Sequence, residues 1–151
     1  MDSGYGTGRS RYCVSTLLGG NIVQFHSTKT TTSQVSTAEA ELLALREAGQ
    51  TAVWLVNLFK ELGLKFPPIP IYEDNQAVRR ILLNSQYRER FRHRMNVIHC
   101  VRDYIQDNYI RIVCCPTQTM IADIGTKVHK AHVWARLMEM IFPKEYHEII
   151  L

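Results

Sequence analysis

The sequence lacks any apolar run near the roughly 20 residues that a membrane-spanning helix needs, and its N-terminus lacks the apolar core of a secretory signal. Its four cysteines lack the paired spacings of a zinc ribbon or a disulfide framework. With only 8 glycines and 5 prolines in 151 residues, fibrous and low-complexity classes are also excluded. We therefore expect an intracellular, cytoplasmic protein that is neither secreted nor bound to a membrane.

What remains is ordinary globular composition, with 46% hydrophobic and 21% charged residues. A chain of this length buries roughly 70% of its unfolded surface, so it folds without disulfides or a structural metal. No internal repeat and no long linker divides it. The sequence predicts one domain over residues 1–151.

Positive charge is concentrated in one segment. The net charge is +4, yet residues 79–102 contain seven arginines and one acid, Glu89, a net charge of +6. Arginine binds phosphate through two parallel hydrogen bonds where lysine offers a point charge. On charge alone, a nucleic-acid-facing patch and a solvated surface both remain open. The candidate nucleic-acid contacts are Arg79, Arg88, Arg90, Arg92 and Arg94.

Turn signals and hydrophobic periodicity divide the chain into alternating strands and helices. The order predicts an α/β fold in which helices flank a mixed central sheet. The predicted strands are residues 12–18, 22–26, 69–73 and 109–115. The predicted helices begin at a Ser36 or Thr37 cap, at Asp74-Asn75, at Val97 and at Met120, the last of them ending at Phe142.

Four carboxylates fall at the boundaries of these elements. Asp74 ends a strand, Glu41 lies in the first turns of the long helix, Asp123 begins the last helix, and Asp2 precedes a Gly-rich turn. Such oxygen ligands on converging elements suit Mg²⁺. Three of them also have an ordinary explanation, since Glu41 could complement the helix dipole and Asp74 and Asp123 could serve as helix caps. The residues alone leave these alternatives open.

Four strings, in order, carry a resemblance. They are STAEAELLAL (residues 36–45), IPIYEDNQAV (69–78), RFRHRMNVIHCVRDYI (90–105) and MIADIGTK (120–127). Together they resemble the ribonuclease H domain of the Pol polyprotein of copia-type LTR retrotransposons, over roughly residues 11–142. The resemblance implies a ribonuclease H-like fold whose first strand is truncated in this chain.

The same resemblance implies a metal site. Glu41 corresponds to the helix carboxylate, Asp74 to the strand-end ligand and Asp123 to the C-terminal ligand, while Asp2 is the one candidate for the first carboxylate. All four are implied to be catalytic metal ligands for Mg²⁺, with Mn²⁺ as a substitute.

Four further positions either match the retrotransposon pattern or depart from it. His93 and His99 match its two histidines, and we interpret both as structural. Glu73 stands where the pattern has cysteine and Gly125 where it has leucine, and both changes are expected to be minor.

The implied function is metal-dependent hydrolysis of the RNA strand of RNA–DNA hybrids during reverse transcription. The implied partners are the hybrid and the reverse transcriptase domain of the same polyprotein, inside a virus-like particle. The first alternative is a catalytically inactive, nucleic-acid-binding or scaffold domain of the same fold. A transposase or integrase is a third hypothesis, which would need Glu139 as a ligand.

Overall fold

A two-stranded antiparallel hairpin opens the part of the chain that the computed structural model describes, which comprises residues 10–30, 36–83, 92–126 and 128–142. Strand β1 (Arg11–Leu18) pairs with β2 (Asn21–Lys29). The turn between them needs two residues with positive φ, which Gly19 and Gly20 supply at 59° and 84°. The first two predicted strands, residues 12–18 and 22–26, are confirmed.

The long helix α1 (Thr37–Glu61) follows the hairpin and is capped as predicted. The Ser36 hydroxyl oxygen accepts a hydrogen bond of 3.3 Å from the Glu39 backbone N–H. The apolar stripe of the helix, including Leu42 and Leu45, is buried. The helix therefore presents its core face and its N-terminal carboxylates in a fixed orientation.

A parallel pair of strands follows helix α1 in the chain and packs against the core. Strand β3 (Ile69–Glu73) pairs with β4 (Ile110–Cys114). The connection between them contains helices α2 (Gln76–Leu83) and α3 (Met95–Gln106). Core side chains from α1, α2, α3 and β4 exclude solvent, and Leu42, Val78, Ile98, Val101 and Ile110 are at most 1% exposed.

Within the described residues the hairpin and the parallel pair are two separate two-stranded sheets. The mixed α/β class is confirmed, but the single mixed central sheet that we expected is not formed by these strands. Side-chain contacts attach the hairpin to the rest of the protein. His26 contacts Glu47 on α1, and the Ser27 hydroxyl donates a hydrogen bond of 2.6 Å to the Gly125 carbonyl. Asp2 and the segment in which the truncated first strand is expected lie outside the described residues.

The prediction of one C-terminal helix over residues 120–142 is wrong. Residues 117–119 and 121–125 form short 3₁₀ turns, and helix α4 spans only Ala131–Ile141. Gly125 packs against the hairpin so closely that an added Cβ would lie 2.5 Å from Cys13 Sγ. That contact holds the turn against the hairpin and separates Asp123 from the helix. None of the helices in the described ranges is both long and apolar enough to cross a membrane.

Candidate functional site

Three carboxylates meet where β3 ends beside the first turns of α1. One ligand atom each of Glu41, Glu73 and Asp74 lies within 4.8 Å of the others. Glu73 is 5% exposed, whereas Glu41 and Asp74 are half-buried. The structure thus brings together two of the four predicted ligands, Glu41 and Asp74, and adds Glu73.

Asn75 connects the elements that carry these carboxylates. Its backbone N–H donates to Glu73 Oε1 at 2.9 Å, and its side-chain amide donates to Glu41 Oε2 at 2.5 Å. Its side-chain oxygen accepts a 2.8 Å hydrogen bond from the Ala77 backbone N–H and so caps α2. One residue therefore fixes the strand end, the carboxylate of α1 and the start of α2.

Asp74 is held by a residue of a different turn. The Thr117 hydroxyl, in the turn after β4, donates to Asp74 Oδ2 at 2.7 Å. A carboxylate has two oxygens and about four lone-pair positions, so this bond leaves acceptor capacity on Asp74. Thr117 therefore orients the Asp74 side chain and leaves its carboxylate able to bind a cation.

The site concentrates negative charge. The pKa of the Glu73 carboxyl is raised to about 7, chiefly by burial and to a smaller extent by the charges of Glu41 and Asp74. The hydrogen bond from the Asn75 backbone and the positive charge of Arg79 lower that pKa but do not offset burial. The pKa of Glu73 is therefore controlled mainly by its burial and by its two acidic neighbours.

The donor set fits a hard divalent cation. Mg²⁺ takes oxygen ligands and is bound through one or two carboxylates while it keeps waters or substrate phosphates. The three side chains of the cluster offer carboxylate oxygens, which are the ligands that such a cation prefers. Glu41 and Asp74 stand at its accessible side, and Glu73 stands at its buried side.

Sequence reasoning missed Glu73. Its replacement of the cysteine in the pattern was expected to be a minor change, yet the structure places the Glu73 side chain within the carboxylate cluster. The available signal was an acid directly before Asp74 at the end of a buried strand, a place where a charge is costly unless it has a use.

Asp123 is not part of the cluster formed by the described carboxylates. It lies in the 3₁₀ turn 121–125 and lines an open cavity of about 290 Å³ together with Thr117, His129 and Arg136. The Asp123 backbone carbonyl accepts a 2.9 Å bond if His129 Nε2 is protonated. Thr117, which binds Asp74 and lines this cavity, connects the two places. Asp2 lies outside the described residues.

The five arginines that were predicted to contact nucleic acid differ in their surroundings, and the structure describes the side chains of only two of them. Arg79 lies near enough to Glu73 for its positive charge to lower the pKa of that carboxyl. Arg94 is half-buried, and its buried Nε has no hydrogen-bond partner among the described residues. Arg88, Arg90 and the side chain of Arg92 are outside the described part of the structure.

Another arginine of the basic segment has an internal role. Arg102 donates from Nε to the Leu82 carbonyl at 3.0 Å and from its terminal nitrogen to the Ile81 carbonyl at 2.7 Å. These two carbonyls belong to the last turn of α2. Arg102 therefore caps a helix. Fewer arginines of the basic segment are then available to bind a ligand than its net charge suggests.

The two histidines of the resemblance differ. His93 Nε2 contacts Glu39 Oε1, whereas His99 lies exposed on α3. A structural interpretation thus fits His93, which supplies the partner of a buried carboxylate.

Comparison with known proteins gives one consistent group. The chain is similar to a Retrovirus-related Pol polyprotein from transposon TNT 1-94 of Nicotiana tabacum, at 33% identity over 94 residues, or 62% of the chain and 7% of that relative. It is 29% identical over 112 residues, or 73% of the chain, to the Pol polyprotein from transposon RE1 of Arabidopsis thaliana, covering 8% of it. It is 29% identical over 113 residues, or 74% of the chain, to the Transposon Ty1-DR5 Gag-Pol polyprotein of Saccharomyces cerevisiae, covering 6% of it.

The chain thus spans less than a tenth of the length of each of these relatives. No family model matches it, and no solved structure matches it. The sequence comparisons and the acidic cluster are therefore the two findings that bear on its role. The chain is distantly similar to a short segment of the Pol polyproteins of copia and Ty1 retrotransposons.

Proposed function

We propose that this chain is a ribonuclease H domain, which hydrolyses the RNA strand of RNA–DNA hybrids during reverse transcription of a retrotransposon. The observation that carries the proposal is the meeting of Glu41 and Asp74, which are 33 positions apart in the chain, within one carboxylate cluster. Both residues come from the strings that carry the resemblance. Similarity to Pol polyproteins, which contain enzymatic domains, supports the same proposal.

Glu41 and Asp74, with Glu73 behind them, would hold Mg²⁺, for which Mn²⁺ could substitute. By resemblance, two such cations would be bound, one to supply an activated water and the other to stabilise the leaving 3′ oxygen of a phosphodiester. By resemblance, Asp123 and Asp2 complete the ligand set. Asp123 is near enough to share a neighbour, Thr117, with the cluster.

The chain's own residues supply orientation. Asn75 holds the Glu41 carboxylate toward the end of β3, and Thr117 holds Asp74 from the turn after β4. Ligands held in this way need little rearrangement when a substrate binds. Recognition of the hybrid should use its backbone and 2′-hydroxyl groups, so we expect little sequence preference. The arginines at 79, 88, 90, 92 and 94 are the proposed backbone contacts.

The proposal includes the setting of the enzyme. The reverse transcriptase domain of the same polyprotein is the expected partner, because it makes the hybrid that this domain would cut. A cytoplasmic virus-like particle is the expected location, again by resemblance.

Cleavage of a labelled RNA–DNA hybrid in Mg²⁺ or Mn²⁺ tests the proposal. It should be measured for this chain and for a chain extended at its N-terminus so that Asp2 is preceded by further residues. Asp74→Asn should abolish cutting, and Asp107→Asn, at the exposed end of α3, serves as the control. Cutting that survives Asp74→Asn would show the site assignment to be wrong.

The second candidate is an inactive nucleic-acid-binding or scaffold domain of the same fold. The separation of Asp123 from the described cluster favours it, since the resemblance implies that Asp123 shares the metal. A folded, extended chain that binds hybrid and never cuts it would establish this second function. No observation favours the transposase hypothesis, because Glu139 is likewise outside the described cluster.

A further inference from the structure

A short series of contacts links helix α4 to the carboxylate site. A terminal nitrogen of Arg136 on α4 donates to the Gln118 carbonyl at 2.9 Å, in the turn after β4. Thr117, the preceding residue of that turn, donates to Asp74 Oδ2 at 2.7 Å. With ordinary covalent geometry between Thr117 and Gln118, the bonded nitrogen of Arg136 lies no more than roughly 14 Å from Asp74 Oδ2. The guanidinium is therefore a close neighbour of the site.

An open cavity lies along this connection. Its volume is about 290 Å³, and its lining includes Thr117 and Gln118 of the turn and Val133, Arg136 and Leu137 of α4. Pockets that enclose a whole small-molecule ligand measure roughly 300–1,000 Å³, so this cavity suits one group of a larger ligand. The cavity adjoins Asp74, because the Thr117 hydroxyl binds that carboxylate.

Arg136 gives this cavity a permanent positive charge. The residue is exposed, and the acceptor of its hydrogen bond is a neutral carbonyl, which orients the guanidinium without neutralising it. A guanidinium has five N–H donors, and the bond to Gln118 uses one of them. Arginine binds phosphate through two parallel hydrogen bonds, so the chemistry of the cavity suits a phosphate group.

The start of α4 adds to the positive potential. The N-terminal end of a helix carries the positive end of its dipole. His129 and Val133, which lie before and after the first residues of α4, both line the cavity. Lys130, between them, is exposed and adds a second cation near the helix start. An anion in the cavity is thus favoured by the helix as well as by Arg136.

Asp123 opposes an anion in the same cavity, which it also lines. In metal-free buffer its carboxylate would repel a phosphate. Under the proposed function Asp123 belongs to the metal centre, so its charge is compensated when the metal is loaded. The opposition between Asp123 and Arg136 gives the two residues effects of opposite sign, which binding measurements can separate.

We propose that the cavity between α4 and the turn after β4 is a phosphate subsite, in which Arg136 binds the backbone of the strand that occupies the carboxylate site. The inference rests on the proposed function. Successive phosphates of one strand are about 3.4 Å apart along a duplex axis. A strand with one phosphate at Asp74 therefore has neighbouring phosphates within the distance to Arg136. Arg136 lies outside the basic segment, so the charge pattern of the sequence gave no signal of this role.

The test measures binding of a fluorescent RNA–DNA hybrid by the full chain in EDTA, across a series of salt concentrations. We expect Arg136→Ala to weaken binding about fivefold and to reduce the slope of log Kd against log salt by about 1, as for one lost phosphate contact. Arg136→Lys keeps the charge, so it should keep the slope and recover part of the affinity. Arg136→Gln keeps a donor for the Gln118 carbonyl but no charge, and should show the reduced slope. Thermal melting establishes that each variant folds.

Arg111→Ala is the matched control, since Arg111 is an exposed arginine near the start of β4, away from the turn that follows the strand. It removes the same charge and should leave the slope unchanged. Asp123→Asn should strengthen binding in EDTA about threefold, because it removes the repulsion inside the cavity. Asp107→Asn, which removes a charge at the exposed end of α3, should have a smaller effect.

The position of the contact along the strand is tested by cutting in Mg²⁺. Hybrids are prepared in which one phosphate at a time is replaced by a neutral methylphosphonate. At the phosphate that Arg136 binds, the replacement should slow cutting by the unchanged chain and have little further effect on Arg136→Ala. That phosphate should lie within about four nucleotides of the cut bond.

Four results would overturn the inference: an unchanged slope in folded Arg136→Ala and Arg136→Gln chains, an equal loss in Arg111→Ala, no greater gain in Asp123→Asn than in Asp107→Asn, or methylphosphonate effects that add to that of Arg136→Ala at every position. The proposed enzyme function fails separately, when the chain binds hybrid in an Arg136-dependent way and never cuts it. Conversely, cutting and binding that do not depend on Arg136 would remove the subsite and leave the enzyme function intact.

Discussion

The Asn75 side chain donates a hydrogen bond of 2.5 Å to Glu41 Oε2 and so joins the turn after β3 to the first turns of α1. The same side chain caps α2 through the Ala77 N–H. Two functions of one amide can be separated by substitution, because a serine hydroxyl caps a helix but does not reach as far as an asparagine amide.

We predict that Asn75→Ala lowers the free energy of unfolding by about 1 to 2 kcal/mol, the usual cost of losing a cap. Asn75→Ser should retain most of that stability. Both should lower affinity for Mg²⁺, since neither holds the Glu41 carboxylate. Urea unfolding and calorimetric titration measure the two effects. Equal Mg²⁺ affinity in Asn75→Ser and the unchanged chain would contradict the orienting role.

The Glu73 carboxyl predicts a specific pH dependence of stability in metal-free buffer. Its pKa is about 7 in the folded protein against an ordinary value of 4.5, so the folded state binds this proton more tightly than the unfolded state. Stability from this group is present below pH 4.5 and is lost as the pH rises to about 7. We expect Glu73→Gln to remove that loss and to stabilise the protein at pH 8 by up to about 3 kcal/mol.

Urea midpoints at pH 5 and pH 8 in EDTA check this prediction. Glu61→Gln, at the exposed end of α1, is the control and should change neither value appreciably. If Glu73→Gln destabilises the protein at pH 8, burial does not control this carboxyl as described.

Removing a cluster ligand should also remove a stabilisation by metal. A cation that binds only the folded state adds about 2.7 kcal/mol at a concentration one hundred times its Kd. We expect Mg²⁺ or Mn²⁺ to raise the melting temperature of the unchanged chain and to have a much smaller effect on Asp74→Asn. Asp107→Asn should respond like the unchanged chain. A response that is the same in all three proteins would place the cation elsewhere.

Gly125 packs against the hairpin with no room for a side chain. An added Cβ would lie 2.5 Å from Cys13 Sγ and 3.0 Å from Phe25 Cζ, and Cys13 is buried. We predict that Gly125→Ala costs about 1 to 3 kcal/mol, the range for overpacking a core. The cost should be smaller in a Cys13→Ala background, because the nearest atom is then gone. Urea unfolding of the four proteins in this cycle gives the answer, and strict additivity would count against the packing.

Local signals predicted the helices and strands that a single segment can specify. Ser36, with Leu42 and Leu45 at helical spacing, determines how α1 begins and which face is buried. By contrast, the C-terminal helix was predicted too long because Gly125 is held by a hairpin about 100 positions away, a contact that no window of sequence contains.

The site was predicted only in part for a similar reason. Adjacent side chains in a strand point to opposite faces, so Glu73 and Asp74 would not be expected to converge. They do so because the strand ends at Glu73 and Asn75 redirects the chain. Meanwhile Glu41 and Asp74 were predicted from motifs, whereas the offset of Asp123 depends on the packing of its 3₁₀ turn.

The cap formed by Asn75 has a consequence for observing the site. The amide proton of Ala77 is bonded to the same side chain that holds Glu41, so its rate of exchange with deuterium depends on whether that side chain keeps its place. Slower exchange at Ala77 on addition of Mg²⁺ would register loading of the carboxylates without any substrate. The deuterium exchange rate in the first turn of α2 thus reports how well ordered the end of β3 is.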